Sequence, residues 1–197
     1  MITDRLTPLA LVSSLFWAGS AGPDTWTTFL NSNYVRQIEA GEKIWCATSG
    51  AVSIFSPFDS SFTKITNAHG LRDNDVLRLT RGESGNWWFL SKGGVSLMSP
   101  EGDRWAYFTD YHGIPGDSLL SIAVDGDTVW LGTDRGGWLW DTRGEPFNWT
   151  GGFRTFSLRN NRIAAILPDG PWVWFCTQGG VCRALKQSPG DTSNQLW

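Results

Sequence analysis

Two histidines, three cysteines and a scatter of charged turn residues are the parts of this 197-residue sequence that could do chemistry. His69 and His112 stand in matching turns, HGL and HGI, where a histidine can act as a general base or a ligand. No serine, cysteine or carboxylate accompanies either in a nucleophile motif, so turn packing is the expected role. Cys46, Cys176 and Cys182 are odd in number, include no Cys-x-x-Cys pair and form no metal set with the two histidines. Cys176 and Cys182 flank the turn TQGGV. If Thr177 and Val181 pair across a three-residue turn, the two cysteines stand opposite each other and can close a cross-strand disulfide, leaving Cys46 a buried thiol. The stretch WLGTDRGG, from Trp130, has the glycines of a phosphate loop. Such a loop needs a helix N-terminus behind them, and an apolar strand-like run follows instead.

The elements that must position these residues repeat. WLGTDRGG has relatives in WCATSGAV from Trp45, WFLSKGGV from Trp88 and WFCTQGGV from Trp174, with leading tryptophans 43, 42 and 44 residues apart. Upstream lie NYVRQI from Asn33, NDVLRL from Asn74, DSLLSI from Asp117 and NRIAAI from Asn161. Before these come WTTF at Trp26, FTKIT at Phe62, WAYFT at Trp105 and FRTFS at Phe153. In the second copy the strand-like segments are Asp75–Leu79, Asn86–Leu90, Gly94–Ser99 and Arg104–Thr109. A period of this length with four short strands predicts an all-β propeller of four four-stranded antiparallel blades. The leading tryptophan then packs between blades, the Thr or Ser three residues on ends a strand, and the glycines make the hairpin. Trp87, Trp138 and Trp140 fall on apolar positions of the other copies and are expected in the core. Trp172 replaces Lys43, Asn86 and Thr128 and is expected at the surface.

The pattern Asn-x-Val-x-x-Ile, an acidic or glycine turn, then Trp-x-x-Thr-x-x-Gly-Val/Leu resembles the two-component regulator propeller repeat. SLLSIAVDGDTVWLGTDRGGWLW is the nearest copy, and the likeness runs roughly from Trp26 to Leu185. The resemblance implies a periplasmic or extracellular propeller of the kind that senses ligands for membrane-spanning histidine kinases. The sequence holds no second apolar span and no kinase or DNA-binding region, so sensing is implied at the level of the family alone.

Thirteen Trp and 23 Gly suit a chain of strands and tight turns, and a net charge of -3 with 18% charged residues argues against a nucleic-acid partner. Residues 1–21 carry Arg5, an apolar run from Leu6 to Trp17 and small residues up to Ala21, the shape of a secretory signal; if uncleaved, it is the one membrane attachment expected. The propeller then spans residues 22–187, and the mature chain is expected to be periplasmic or secreted. The tail, 188–197, repeats the SPEGDRW that precedes a fourth strand and stops at Trp197, like the start of a further blade. The phase of the copies fits a four-blade ring closed by WTTF; the tail fits part of a larger propeller. Both readings stand on the sequence.

Candidate ligand-binding residues are His69 and His112, in equivalent turns, and the blade-end residues that vary on the repeated frame: Arg72, Lys92, Asp134, Arg135 and Gln178, with Asp73 among them. Trp149, in the long insertion TRGEPFNWTGG, joins them as an aromatic able to stack on a sugar ring or a partner side chain. No catalytic residue, metal or cofactor is indicated. The positions expected nearest the axis, Arg36, Leu77, Ser121 and Ala165, hold no cluster of carboxylates. The expected function is therefore non-enzymatic binding of a small molecule, an oligosaccharide or a protein. The alternatives are a glycan-active lyase or hydrolase, and a structural module whose open blade faces dock on another chain, a homodimer included.

Overall fold

The computed structural model describes residues 34–114, 119–143, 145–148, 154–156, 158 and 161–190. The signal segment, the WTTF copy, Trp149 and the tail from Asp191 lie outside the described residues. The strands form four antiparallel sheets in chain order. The first holds β1 (Val35–Ala40), β2 (Ile44–Thr48), β3 (Val52–Ser56) and β4 (Ser61–Ile65). The second holds β5 (Val76–Arg81), β6 (Trp87–Ser91), β7 (Gly94–Met98) and β8 (Trp105–Phe108). The third holds β9 (Leu119–Asp125), β10 (Thr128–Thr133), β11 (Gly137–Asp141) and β12 (Arg154–Phe156). The fourth holds β13 (Ile163–Asp169), β14 (Trp172–Thr177) and β15 (Gly180–Leu185). Helical structure among the described residues is limited to three single 3-10 turns. The four segments expected in the second copy are β5 to β8, each within two residues of its expected bounds.

The inner strands pack in succession, β5 beside β1, β9 beside β5 and β13 beside β9. Three apolar clusters fill the spaces between neighbouring sheets. The strand registers place Trp45, Trp88, Trp130 and Trp174 at one equivalent position, on the face each blade turns toward the next. Thus Trp88 packs with Leu119, Val129 and Trp140 of the third blade, and Trp130 with Ile163, Val173 and Phe175 of the fourth. Burying one tryptophan removes about 150–250 Å² from water. At about 25 cal/mol per Å², that is a gross gain of about 4–6 kcal/mol, an upper bound because the unfolded chain already hides part of it. Trp87 and Trp140 are core, as expected, and Trp138 is half-buried. Trp172 is half-buried rather than exposed: the Arg183 guanidinium lies 4.2 Å from its ring centroid and covers it.

The threonine or serine of each repeated hairpin has a job the sequence did not disclose. Thr48, Ser91, Thr133 and Thr177 donate their hydroxyls to the carbonyls of Ala51, Gly94, Gly136 and Gly180, at 2.7–3.1 Å. The hydroxyl thereby ties each two-strand turn shut at its base. Gly94, at φ 122, lies against the Phe108 carbonyl so closely that a Cβ would overlap it.

One hairpin corrects the sequence reading. Thr177 pairs with Gly180, not Val181, so the turn holds two residues, Gln178 and Gly179. Cys176 then faces Val181 and Cys182 faces Phe175. A one-residue change of register moves a side chain to the other face. Cys182 is buried against the third blade, Cys176 is exposed on the outer face, and all three cysteines are free thiols. The Cys176–Cys182 disulfide is therefore not formed. Cys46 is half-buried, and burial raises its pKa.

Candidate functional site: the axial mouth at the hairpin end

Each inner strand opens with the same irregularity. The ladders skip one residue between Val35 and Gln37, Val76 and Arg78, Leu119 and Ser121, and Ile163 and Ala165. A bulge at a strand end re-aims the side chain it leaves unpaired. Three of the unpaired residues, Arg36, Leu77 and Leu120, line one cavity of about 370 Å³, with Tyr34, Arg78 and Leu119 around them. The bulge also corrects two of the expected axial positions. Ser121 is buried between blades, donating its hydroxyl to the Ile163 carbonyl at 3.0 Å, and the residue at the mouth is Leu120. In the fourth blade Ala164, not Ala165, is the unpaired residue.

The mouth is rich in cationic groups. Arg36 forms an ion pair with Asp75 and donates to the Val76 carbonyl at 3.1 Å. Lys92 reaches the other oxygen of Asp75 at 3.8 Å, and Asp75 is held by Asp73, whose Oδ1 accepts from the Asp75 backbone at 2.9 Å. Arg36 also lies 5.6 Å from the ring centroid of Tyr34, which is 66% exposed. Arg78 donates to the neighbouring Leu77 carbonyl at 2.8 Å. Arg36 and Arg78 line the mouth and Lys92 stands beside it, with Asp75 paired to Arg36 and Asp73 next to Asp75. Leucines and a tyrosine offer the apolar surface. That combination suits a ligand with an anionic group on a partly apolar body.

The turn residues singled out in the sequence all lie at this end, but only some meet. Arg72 and Asp73 pack beside Gly93, the residue after Lys92, and the Arg72 amide donates to Ser96 Oγ at 3.0 Å. His69 and His112 serve their own turns. Their Nδ1 atoms accept from the backbone N–H of Thr66 and Thr109, both at 3.2 Å, closing a reciprocal cap on each 3-10 turn. Asp134 and Arg135 sit side by side in the third hairpin, 4.0 Å apart, and Gln178 in the fourth. The connection that carries Trp149 leaves β11 at Asp141, the end opposite the hairpins. Sequence reasoning missed Tyr34, Asp75 and Arg78. Only the recurrence of the bulge would have pointed to them, and a bulge leaves no residue signature here.

A second cavity of about 410 Å³ opens at the opposite end, between the first two blades. Its floor is the stacked pair Trp45 and Trp87, with centroids 4.0 Å apart. Glu39 and Glu42 balance Lys43 and Arg81 around it.

Solved structures share this fold. The extracellular domain of BT4673 from B. thetaiotaomicron, described as a hybrid two component system, matches at TM-score 0.65 and 18% identity, over 83% of this chain and 22% of that one. The computationally designed Ika4 protein matches at 0.57 and 11% identity, over 77% of this chain and 90% of its own. The computationally designed Ika8 protein matches at 0.57 and 12%, over 79% of this chain and 47% of its own. This chain therefore spans about a fifth of the length of the BT4673 chains it matches. No family model and no curated protein matches the sequence. The BT4673 neighbours are extracellular domains, consistent with the resemblance to the two-component regulator propeller repeat. The all-β, propeller-like class is the observed fold.

Proposed function

We propose that this chain is an extracellular or periplasmic, non-enzymatic binding module of the sensor type, which takes an anionic ligand at the axial mouth. The observation that carries the reading is the placing of Arg36 and Arg78 beside exposed Tyr34 on the bulged starts of β1 and β5. The extracellular neighbours support the location. The two histidines support a non-enzymatic role, since each uses Nδ1 to brace its own turn. An acidic oligosaccharide fits the mouth: its carboxylates meet the guanidiniums and its ring faces meet Tyr34 and the leucines.

Calorimetric titration of the full chain with a galacturonate oligosaccharide, and with its neutral methyl ester, tests this. The acidic form should bind and the ester should not. Arg78→Ala should weaken binding about tenfold or more, since a hydrogen bond to a charged group contributes about 1.5–3 kcal/mol. Equal binding of ester and acid, or no effect of Arg78→Ala, would remove the axial mouth as the site.

A further inference from the structure

Among the described residues, the two end blades each leave one face uncovered. In the first blade Val35 is 50% and Ile38 60% exposed, whereas the residues equivalent to Val35, namely Val76, Leu119 and Ile163, are buried against the preceding blade. In the fourth blade Val181 is 54% exposed, whereas its equivalents Val52 and Val95 are buried against the following blade; Leu167 is 64% exposed where the third blade has buried Ala123 and the first two have half-buried Glu39 and Thr80. The rear face of blade one and the forward face of blade four are thus the two halves of an interface that the molecule builds three times internally.

We propose that a second copy of this chain covers both faces, the forward face of each copy docking on the rear face of the other, to close a two-fold ring. The three internal interfaces specify the fit. Between blades three and four, Ile163 lies against Gly132. The equivalents of that pair are Val35 and Cys176, and Cys176 is an exposed thiol. Between the same blades Leu139 packs with Cys182 and Ala184. Their equivalents are Arg183, Ser53 and Phe55. On the forward face of blade four the Arg183 guanidinium stacks on Trp172 and Trp174, 4.2 and 5.5 Å from their ring centroids, and docking places Ser53 and Phe55 of the second copy against it. The arc covers nine-tenths of Ika4 but about half of Ika8, so Ika8 is long enough to hold it twice. Two copies related by a two-fold axis bury both open faces and leave none for a third. The inference rests on blade packing and is independent of the ligand at the axial mouth.

Val35→Cys, made in the full chain and mildly oxidised, places a new thiol opposite native Cys176 of the second copy. A disulfide-linked dimer, abolished by adding Cys176→Ser, with the introduced thiol joined to Cys176 by peptide mapping, is the expected result. A monomer with the same bond formed internally would show that four blades close on themselves and overturn the proposal. Higher multiples would show open head-to-tail growth and overturn it too. Light scattering of the unsubstituted chain guards against a misfolded variant: it should give twice the chain mass of 21.8 kDa, and a monomer refutes the ring of two.

Discussion

Gly132→Ala is the substitution that bears hardest on the packing of blade on blade. Gly132 takes no left-handed conformation, so its side-chain hydrogen answers to space alone. A Cβ there would overlap Ser121 Oγ, lie 2.6 Å from the Ile163 carbonyl oxygen and 2.7 Å from Ile163 Cγ2. The carbonyl belongs to β13 and is fixed by its ladder to β14, so the serine and the blade spacing must give way. Displacing Ser121 breaks its bond to Ile163 and leaves a buried hydroxyl unpaired, at a cost of about 1–3 kcal/mol. Overpacking adds about 1–3 kcal/mol, and the stiffer unfolded chain returns about 0.4–1 kcal/mol. The net loss is about 1–5 kcal/mol. Urea unfolding followed by tryptophan fluorescence reads it directly, because Trp130 lies in the strained interface. Gly126→Ala is the control: at φ 53 with nothing within 4 Å, it should cost about 1–2 kcal/mol for the left-handed turn alone. Adding Ser121→Ala to Gly132→Ala should recover part of the loss, since the overlap and the unpaired hydroxyl vanish together. A Gly132→Ala midpoint within error of wild type would refute this account of the interface.

Three further outcomes follow from the same packing. Cys176 should react with a thiol reagent in the native protein, while Cys182 reacts only on unfolding. Burial pushes the Cys46 and Cys182 thiols up, and for Cys182 the neighbouring Cys176 adds to the rise. A raised folded pKa means that the stability held by the neutral thiol is complete below the unfolded value and is lost as pH climbs past it. Circular dichroism should therefore show alkaline loosening from about pH 9 upward that Cys182→Ala reduces. Lys186→Met, which removes the 2.6 Å pair to Asp125 between blades four and three, should cost about 0.5–1 kcal/mol, because both partners keep some contact with water. That cost should shrink in 1 M salt, where the screening length falls to about 3 Å.

The frame was legible because it is written four times. A lone WLGTDRGG is ambiguous between a phosphate loop and a hairpin, but four copies each followed by an apolar strand are not. The strands of the second blade could be placed almost residue by residue because glycine, proline and asparagine bound each of them. Two errors in the reading are of a single residue. TQGGV was read as a three-residue turn and is a two-residue one, which put Cys182 on the wrong face. Ser121 is expected near the axis, and the bulge puts Leu120 at the mouth in its place; in the fourth blade it leaves Ala164 unpaired. Both errors concern register, and register is a property of pairs of strands. The spacing of a single strand carries it only when the turn length and the bulges are already known.

The same reasoning explains why the axial mouth was hidden while its rim was not. Rim residues such as Lys92 and Arg135 stand out because they vary against a fixed frame. Arg36, Leu77 and Leu120 vary as well, but they occupy strand positions where an alternating pattern reads as half-buried and uneventful. The bulge turns these positions into the mouth in the first three blades, so the frame supplies one geometry and each of these blades fills it with different chemistry. An arginine in the first blade and leucines in the next two give the mouth a charged side and an apolar side. Changing Leu120 alone should therefore retune what the mouth accepts without disturbing the blade interfaces, since Leu119 and Ser121 on either side carry the packing.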